Sequence, residues 1–144
     1  MLKNIPSLIT PDLLHALAAM GHGDEIALVD ANFPAAALAA RLVRIPGAST
    51  PAVLGAVLAL LPIDDFVPEP AWTMEVVGDP HASVPAIDEI RQVLRAHDAR
   101  PAATLERAAF YARAGAAFVV VQSGESRKYG NVIVKKGVIS SDPD

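Results

Sequence analysis

The sequence has no cysteine among its 144 residues, which excludes a disulfide scaffold and a thiolate zinc site and suits a reducing compartment. Positive charge is also scarce. The 12 lysines and arginines stand against 16 aspartates and glutamates, for a net charge of -4. No basic face is available to neutralise phosphates, so nucleic acid is not an expected partner. Long apolar runs are missing as well. The longest, "PAVLGAVLALLPI", is interrupted by Pro62 and falls short of the ~20 residues that a membrane span needs. Pro6, Pro11 and Asp12 break the N-terminal stretch "MLKNIPSLITPDLL" before a signal-peptide core can form. A cytoplasmic protein without a membrane partner is expected.

Hydrophobic residues make up 52% of the chain and charged residues 19%, more apolar than an average soluble domain. A subunit interface or alanine-rich helices would each account for that excess. The length suits one domain over residues 1–140, with 141–144 a frayed tail. Thr10 and Pro11 read as a cap and a first helical position, and Leu13, Leu14, Leu17 and Met20 recur at helical spacing until Gly21. "EIALVD" and "RLVRI" read as strands, and Ser49-Thr50-Pro51 opens a second, buried helix. "AWTMEVV" is a third strand. "VPAIDEIRQVLRAHD" is an amphipathic helix with Ile87, Ile90 and Leu94 on one face. "LERAAFYARAG" reads as a helix and "AAFVVVQ" as a central β-branched strand. The alternation predicts a compact, layered α/β fold with a mixed β-sheet flanked by helices. "AAFVVVQ" and "NVIVKK" could pair as a hairpin, which is why the sheet is expected to be mixed.

Three segments carry residues suited to chemistry. In "GHGD", His22 is the side chain type that donates and accepts a proton near neutral pH. Gly21 and Gly23 would let the backbone turn and leave room beside the ring. A helix C-cap glycine followed by an exposed histidine would look the same. Asp30 closes "EIALVD" and opens "DANFP". There it could accept hydrogen bonds from ligand hydroxyls or form an Asx-turn before Pro34. Asp24 reads as a residue that orients the loop. His22, Asp24 and Asp30 have the right types for a metal but no recurring ligand spacing, so no metal or other cofactor is expected. The third segment, "GESRKYGN", lacks the spacing of a P-loop. Tyr129, Gly130 and Asn131 nevertheless bring a phenol, backbone groups and an amide to one corner, a set suited to a neutral polyhydroxylated ligand or simply to a turn. Arg107 reads as a solvated helical arginine, and Phe110 and Tyr111 as core.

Taken together these segments mean more than each does alone. "PDLLHALAAMGHGDEIALVDANFPA", residues 11–35, and "ERAAFYARAGAAFVVVQSGESRKYGNVIVKKGV", residues 106–138, resemble the terminal signatures of the fucose mutarotase and ribose pyranase family. Gly23, "DANFP" and "KYGN" favour the fucose branch over the ribose branch. The resemblance implies that His22 is the catalytic proton donor and that Asp30, Arg107, Tyr129, Gly130 and Asn131 bind a monosaccharide. It further implies a sugar isomerase that exchanges α and β anomers by opening and closing the ring. The fold would be the compact α/β domain of that family, self-associated as a homodecamer with its sites at subunit contacts. Interconversion of pyranose and furanose forms of a pentose, or non-enzymatic sugar binding linked to transport, are the alternatives.

Overall fold

The computed structural model describes residues 1–97 and 99–141. In chain order its elements are α1 (Pro11–Ala19), β1 (Glu25–Val29), α2 (Ala35–Leu38), β2 (Leu42–Ile45), α3 (Thr50–Leu58), β3 (Ala71–Met74), α4 (Pro85–Ala96), β4 (Ala103–Leu105), α5 (Arg107–Ala116), β5 (Val119–Ser123) and β6 (Val132–Lys135). Two of the helix starts are capped as their sequences predict. Thr10 accepts the Leu13 N–H and Ser49 accepts the Ala52 N–H, each followed by proline in the first turn. The expected tail falls largely outside the described residues.

The strands form a six-stranded sheet in the order β2-β5-β1-β6-β3-β4. β5 is parallel to β1 and β2, and β3 is parallel to β4. β6 runs antiparallel to both β1 and β3. The sheet is therefore mixed, as expected, although the hairpin that "AAFVVVQ" and "NVIVKK" could have made does not form. β1 lies between β5 and β6, and the loop over residues 124–131 carries the chain across its end. Alternation along each strand sends side chains to two covered faces. Ile26, Leu28, Val119, Val121, Val132 and Val134 pack with α1, α3 and α4, while Ala27, Val29, Val120 and Ile133 pack with Phe110 and Ala114 of α5. Helices thus cover both faces, and only the two ends of the sheet are left for loops.

One correction concerns Leu105. The sequence places it in one helix with Arg107, but Ala103–Leu105 forms the short edge strand β4, while Arg107 is helical as expected, the first residue of α5. Glu106 divides them by capping the helix, its carboxylate accepting the Ala109 N–H at 3.0 Å.

Candidate functional site

Where β1, β3 and β4 end and β6 begins, the chain leaves the sheet at one common edge. Asp30 follows β1, Val77 follows β3, Arg107 follows β4, and Tyr129 and Asn131 precede β6. These residues, with Phe33, Tyr111 and Lys128, line a cavity of about 180 Å³. It lies outside the carboxyl ends of parallel strands, where open α/β sheets place ligands. Asp30, Arg107, Tyr129 and Asn131 are therefore brought together.

Local bonds set each group. Asp30 is 6% exposed, and Asn131 clasps it twice: Asn131 Oδ1 accepts the Asp30 N–H at 2.8 Å, and Asn131 Nδ2 donates to Asp30 Oδ2 at 3.1 Å. Asp30 Oδ1 accepts the Asn32 N–H at 3.0 Å, which is the Asx-turn considered as an alternative. Turn and ligand acceptor are compatible, because a carboxylate has lone pairs left after these bonds. Burial pushes the Asp30 carboxyl above its usual range, and the negative charge of Glu125 adds to the rise against the bonds from Asn32, Asn131 and Phe33. The Tyr129 phenol accepts the Val77 N–H at 3.1 Å, leaving its own proton free to donate. Tyr129 adopts φ +63°, a left-handed conformation costing a non-glycine residue about 1 kcal/mol or more. Gly130 is buried behind the cavity rather than lining it. A Cβ there would meet Glu125 Cγ at 2.5 Å, and its carbonyl accepts the Thr50 hydroxyl at 2.7 Å. Its part is to let the loop approach Glu125.

His22 lies elsewhere. It stands before β1, at the opposite end of the strand that Asp30 follows, and β1 alone spans about 16 Å at ~3.3 Å per residue. Within one chain His22 does not share the cavity lined by Asp30, Arg107, Tyr129 and Asn131, and the trio His22, Asp24 and Asp30 is split. Asp24 orients the loop, as expected, by accepting the Gly21 N–H at 2.8 Å. Gly23 has φ +86° with open space around it, so the flanking glycine serves both the turn and the clearance. Lys136 holds the loop from beneath, with its carbonyl accepting the Gly23 N–H and its ammonium donating to the Leu17 and Met20 carbonyls. The ring lines a larger apolar hollow of about 470 Å³ with Leu14, Leu17, Leu60 and Ile139.

His22 Nε2 is 3.2 Å from Oδ1 of Asp64, a carboxylate only 3% exposed, and Phe66 packs on the ring with centroids 5.2 Å apart. Burial pushes the Asp64 carboxyl up, but the bonds from the Phe66 N–H and His22 outweigh it and hold it below the usual range. An ionised carboxylate only accepts, so Nε2 is the donor and Nδ1 is the nitrogen free to exchange a proton with a ligand. A carboxyl lowered by folding contributes stability that is present above its unfolded value and lost as pH falls through the folded one. Asp64→Asn should therefore lose less melting temperature than the unaltered chain between about pH 4 and 2. Thermal melts in that window check the expectation, and equal losses would contradict it.

Sequence reasoning missed Asp64 and Phe66, because a lone acid after an apolar run carries no spacing signature. It also assigned Tyr111 wholly to the core. Phe110 is there, fully buried, but Tyr111 lines the cavity and stands edge-on to Phe33 at 4.9 Å. Phe33 lay within the quoted "DANFP" without being singled out.

The family model described as the RbsD / FucU transport protein family matches residues 3–139. A human protein named fucose mutarotase is 45% identical over 99% of this chain and 97% of its own length. An L-fucose mutarotase of Actinobacillus pleuropneumoniae is 41% identical over 96% of this chain and 97% of its own. Among solved structures, a fucose mutarotase from Streptococcus pneumoniae in complex with L-fucose superposes with a TM-score of 0.89 at 41% identity, covering 96% of this chain and 100% of that one. Bacillus subtilis RbsD complexed with D-ribose, at 18% identity and a TM-score of 0.74 over 92% of this chain and 95% of that one, shares the fold.

Proposed function

The chain belongs to the RbsD / FucU transport protein family, and from that premise we propose that it is an aldose mutarotase, an isomerase that interconverts the α and β anomers of L-fucose. The observation that carries the proposal is the cavity where Asp30, Arg107, Tyr129 and Asn131 converge. It holds hydroxyl donors and acceptors on one side and the apolar faces of Phe33 and Tyr111 on the other, the mixture a deoxy sugar presents.

Mutarotation removes the proton of the anomeric hydroxyl and delivers one to the ring oxygen. The C1–O5 bond breaks, the aldehyde rotates about C1–C2, and reclosure on its other face gives the second anomer. His22, with Nδ1 free and Nε2 held by Asp64, takes and returns the anomeric proton. Asp30 and Arg107 hold hydroxyls, and Asn131 keeps Asp30 in place. Tyr129, whose oxygen already accepts the Val77 N–H, serves as the second proton carrier. Positioned proton transfer of this kind is worth about 10² to 10⁴ in rate.

His22 and the cavity occupy opposite ends of β1, so one complete site takes its histidine from one copy and its sugar-binding residues from another. Such a contact joins two different patches, and head-to-tail contacts of that kind close into rings. Exposed apolar residues stand at both ends: Phe66 is 71% and Ile139 78% exposed beside His22, and Val77 is 63% exposed at the cavity. These features support self-association with sites between subunits; that the assembly is a ring-like homodecamer is proposed on the family resemblance alone. Among the described residues no helix is long and apolar enough to cross a membrane, and a cytoplasmic location is proposed with the same reading.

Saturation-transfer NMR on L-fucose tests the function directly. Exchange between anomer resonances faster than the spontaneous rate is expected. Exchange at the spontaneous rate would reduce the protein to a sugar binder, and transfer to furanose resonances would instead mark a pyranase.

A further inference from the structure

We propose that Arg127 is a positioning residue for the sugar site, its guanidinium forked between Glu125 and Glu89 to fix the loop that presents Tyr129 and Asn131. The kinetic part of this inference rests on the mutarotase reading; the structural part does not.

The loop over residues 124–131 has a demanding geometry. Tyr129 is held with a left-handed backbone, and its carbonyl accepts the Asn131 N–H at 2.8 Å. Gly130 approaches the Glu125 side chain closely enough that only glycine fits. The position of Glu125 therefore decides where Gly130 lies, and Gly130 joins the two residues that face the sugar. Glu125 also reaches the other side of the site, where its carbonyl accepts the Ala31 N–H at 2.9 Å, next to Asp30.

Arg127 holds Glu125 in place. Its Nε and Nη2 donate to the Glu125 carboxylate, each at 2.9 Å, and its backbone N–H donates to the same group at 3.0 Å. The other edge of the guanidinium donates from Nη1 and Nη2 to Glu89 of α4 at 2.8 and 2.9 Å. Two parallel forks on one planar cation fix direction as well as distance, which a lysine cannot do. The site loop is thereby tied to α4, which packs on α3 and the sheet. Glu125 is 3% exposed, so without the Arg127 guanidinium its carboxylate is left buried with backbone N–H donors but no cation to balance its charge. It then has to turn towards water and away from Gly130. Neither Arg127 nor Glu89 lines the cavity, so their effect on a sugar can pass only through the loop.

The test uses Arg127→Gln, Arg127→Lys and Glu89→Gln in the full chain, with two readouts. Saturation-transfer NMR at a series of L-fucose concentrations should show KM raised about tenfold in Arg127→Gln and about threefold in Glu89→Gln. Arg127→Lys should fall between them, and kcat should fall by less than KM rises, since the loop carries the binding groups and Tyr129 but leaves His22 in place. Amide hydrogen exchange should speed up in residues 128–131 while β5 and α3 keep their protection. The inference is overturned if KM in Arg127→Gln equals that of the unaltered chain. It is also overturned if exchange quickens across the whole chain with kcat and KM changing together, the mark of a residue that merely stabilises the fold. If Arg127→Gln does not fold, Glu89→Gln decides, because it leaves Glu125 paired. If the unaltered chain does not exchange L-fucose anomers, the mutarotase reading fails, and amide exchange in the loop still decides the role of Arg127.

Discussion

In the His22→Ala protein, anomer exchange of L-fucose is expected to fall by about 10² to 10⁴, towards the spontaneous rate that sets the floor of the measurement. Sugar affinity should change much less. Asp30, Arg107, Tyr129 and Asn131 form their cavity at the far end of β1 and owe none of their hydrogen bonds to the imidazole. The fold should also hold, because the His22 side chain is 44% exposed and hydrogen-bonds to Asp64 at the surface end of the strand. Loss of rate with binding and folding kept would separate a proton carrier from a residue that only shapes the pocket. The comparison requires saturation-transfer NMR for the rate and direct titration with L-fucose for affinity. A rate within a few fold of the unaltered chain would remove His22 from the mechanism.

Asp30→Ala is expected to do the converse. A buried carboxylate that accepts sugar hydroxyls contributes charge-assisted hydrogen bonds worth about 1.5–3 kcal/mol each. Two such bonds, partly replaced by water once the side chain is gone, correspond to about 10² in kcat/KM. Most of the loss should appear in KM, because in the proposed mechanism Asp30 would grip the bound sugar whether or not its ring is open. The substitution also releases Asn131, whose amide donates to Asp30 Oδ2, so the loss should exceed that of a residue acting alone. Steady-state exchange rates across L-fucose concentrations measure both parameters. A fall in kcat with KM unchanged would instead make Asp30 part of the proton path.

The sequence marked the residues that line the cavity better than how its elements are arranged in space. The valine-rich strands were legible because both faces of the sheet are covered, and Val119, Val120 and Val121 are all fully buried. The cavity residues were legible because Asp30 and the run from Tyr129 to Asn131 belong to short segments dense in polar and turn-forming types. Strand order was not. Nothing local in "AAFVVVQ" or "NVIVKK" says that β1 separates them, since pairing partners are chosen by packing over long sequence distances. β4 is too short to show a period, and the helical composition after it absorbed Leu105. The separation of His22 from Asp30 could have been read directly. A buried strand between two residues puts them at opposite ends of it. Asp64 could not, because its role depends on a ring distant in sequence.

The central claim, that each site takes His22 from one copy and its sugar-binding residues from another, is tested most directly by mixing the two impaired variants at L-fucose concentrations well below KM, where both are expected to be nearly inactive. His22→Ala and Asp30→Ala chains are unfolded together, refolded and assayed by saturation-transfer NMR on L-fucose. If chains assemble at random, about a quarter of the sites receive an intact histidine from one chain and an intact aspartate from the other, and exchange should return to about that fraction of the unaltered rate. A mixture no more active than either variant alone, despite proven co-assembly, would contradict the shared site.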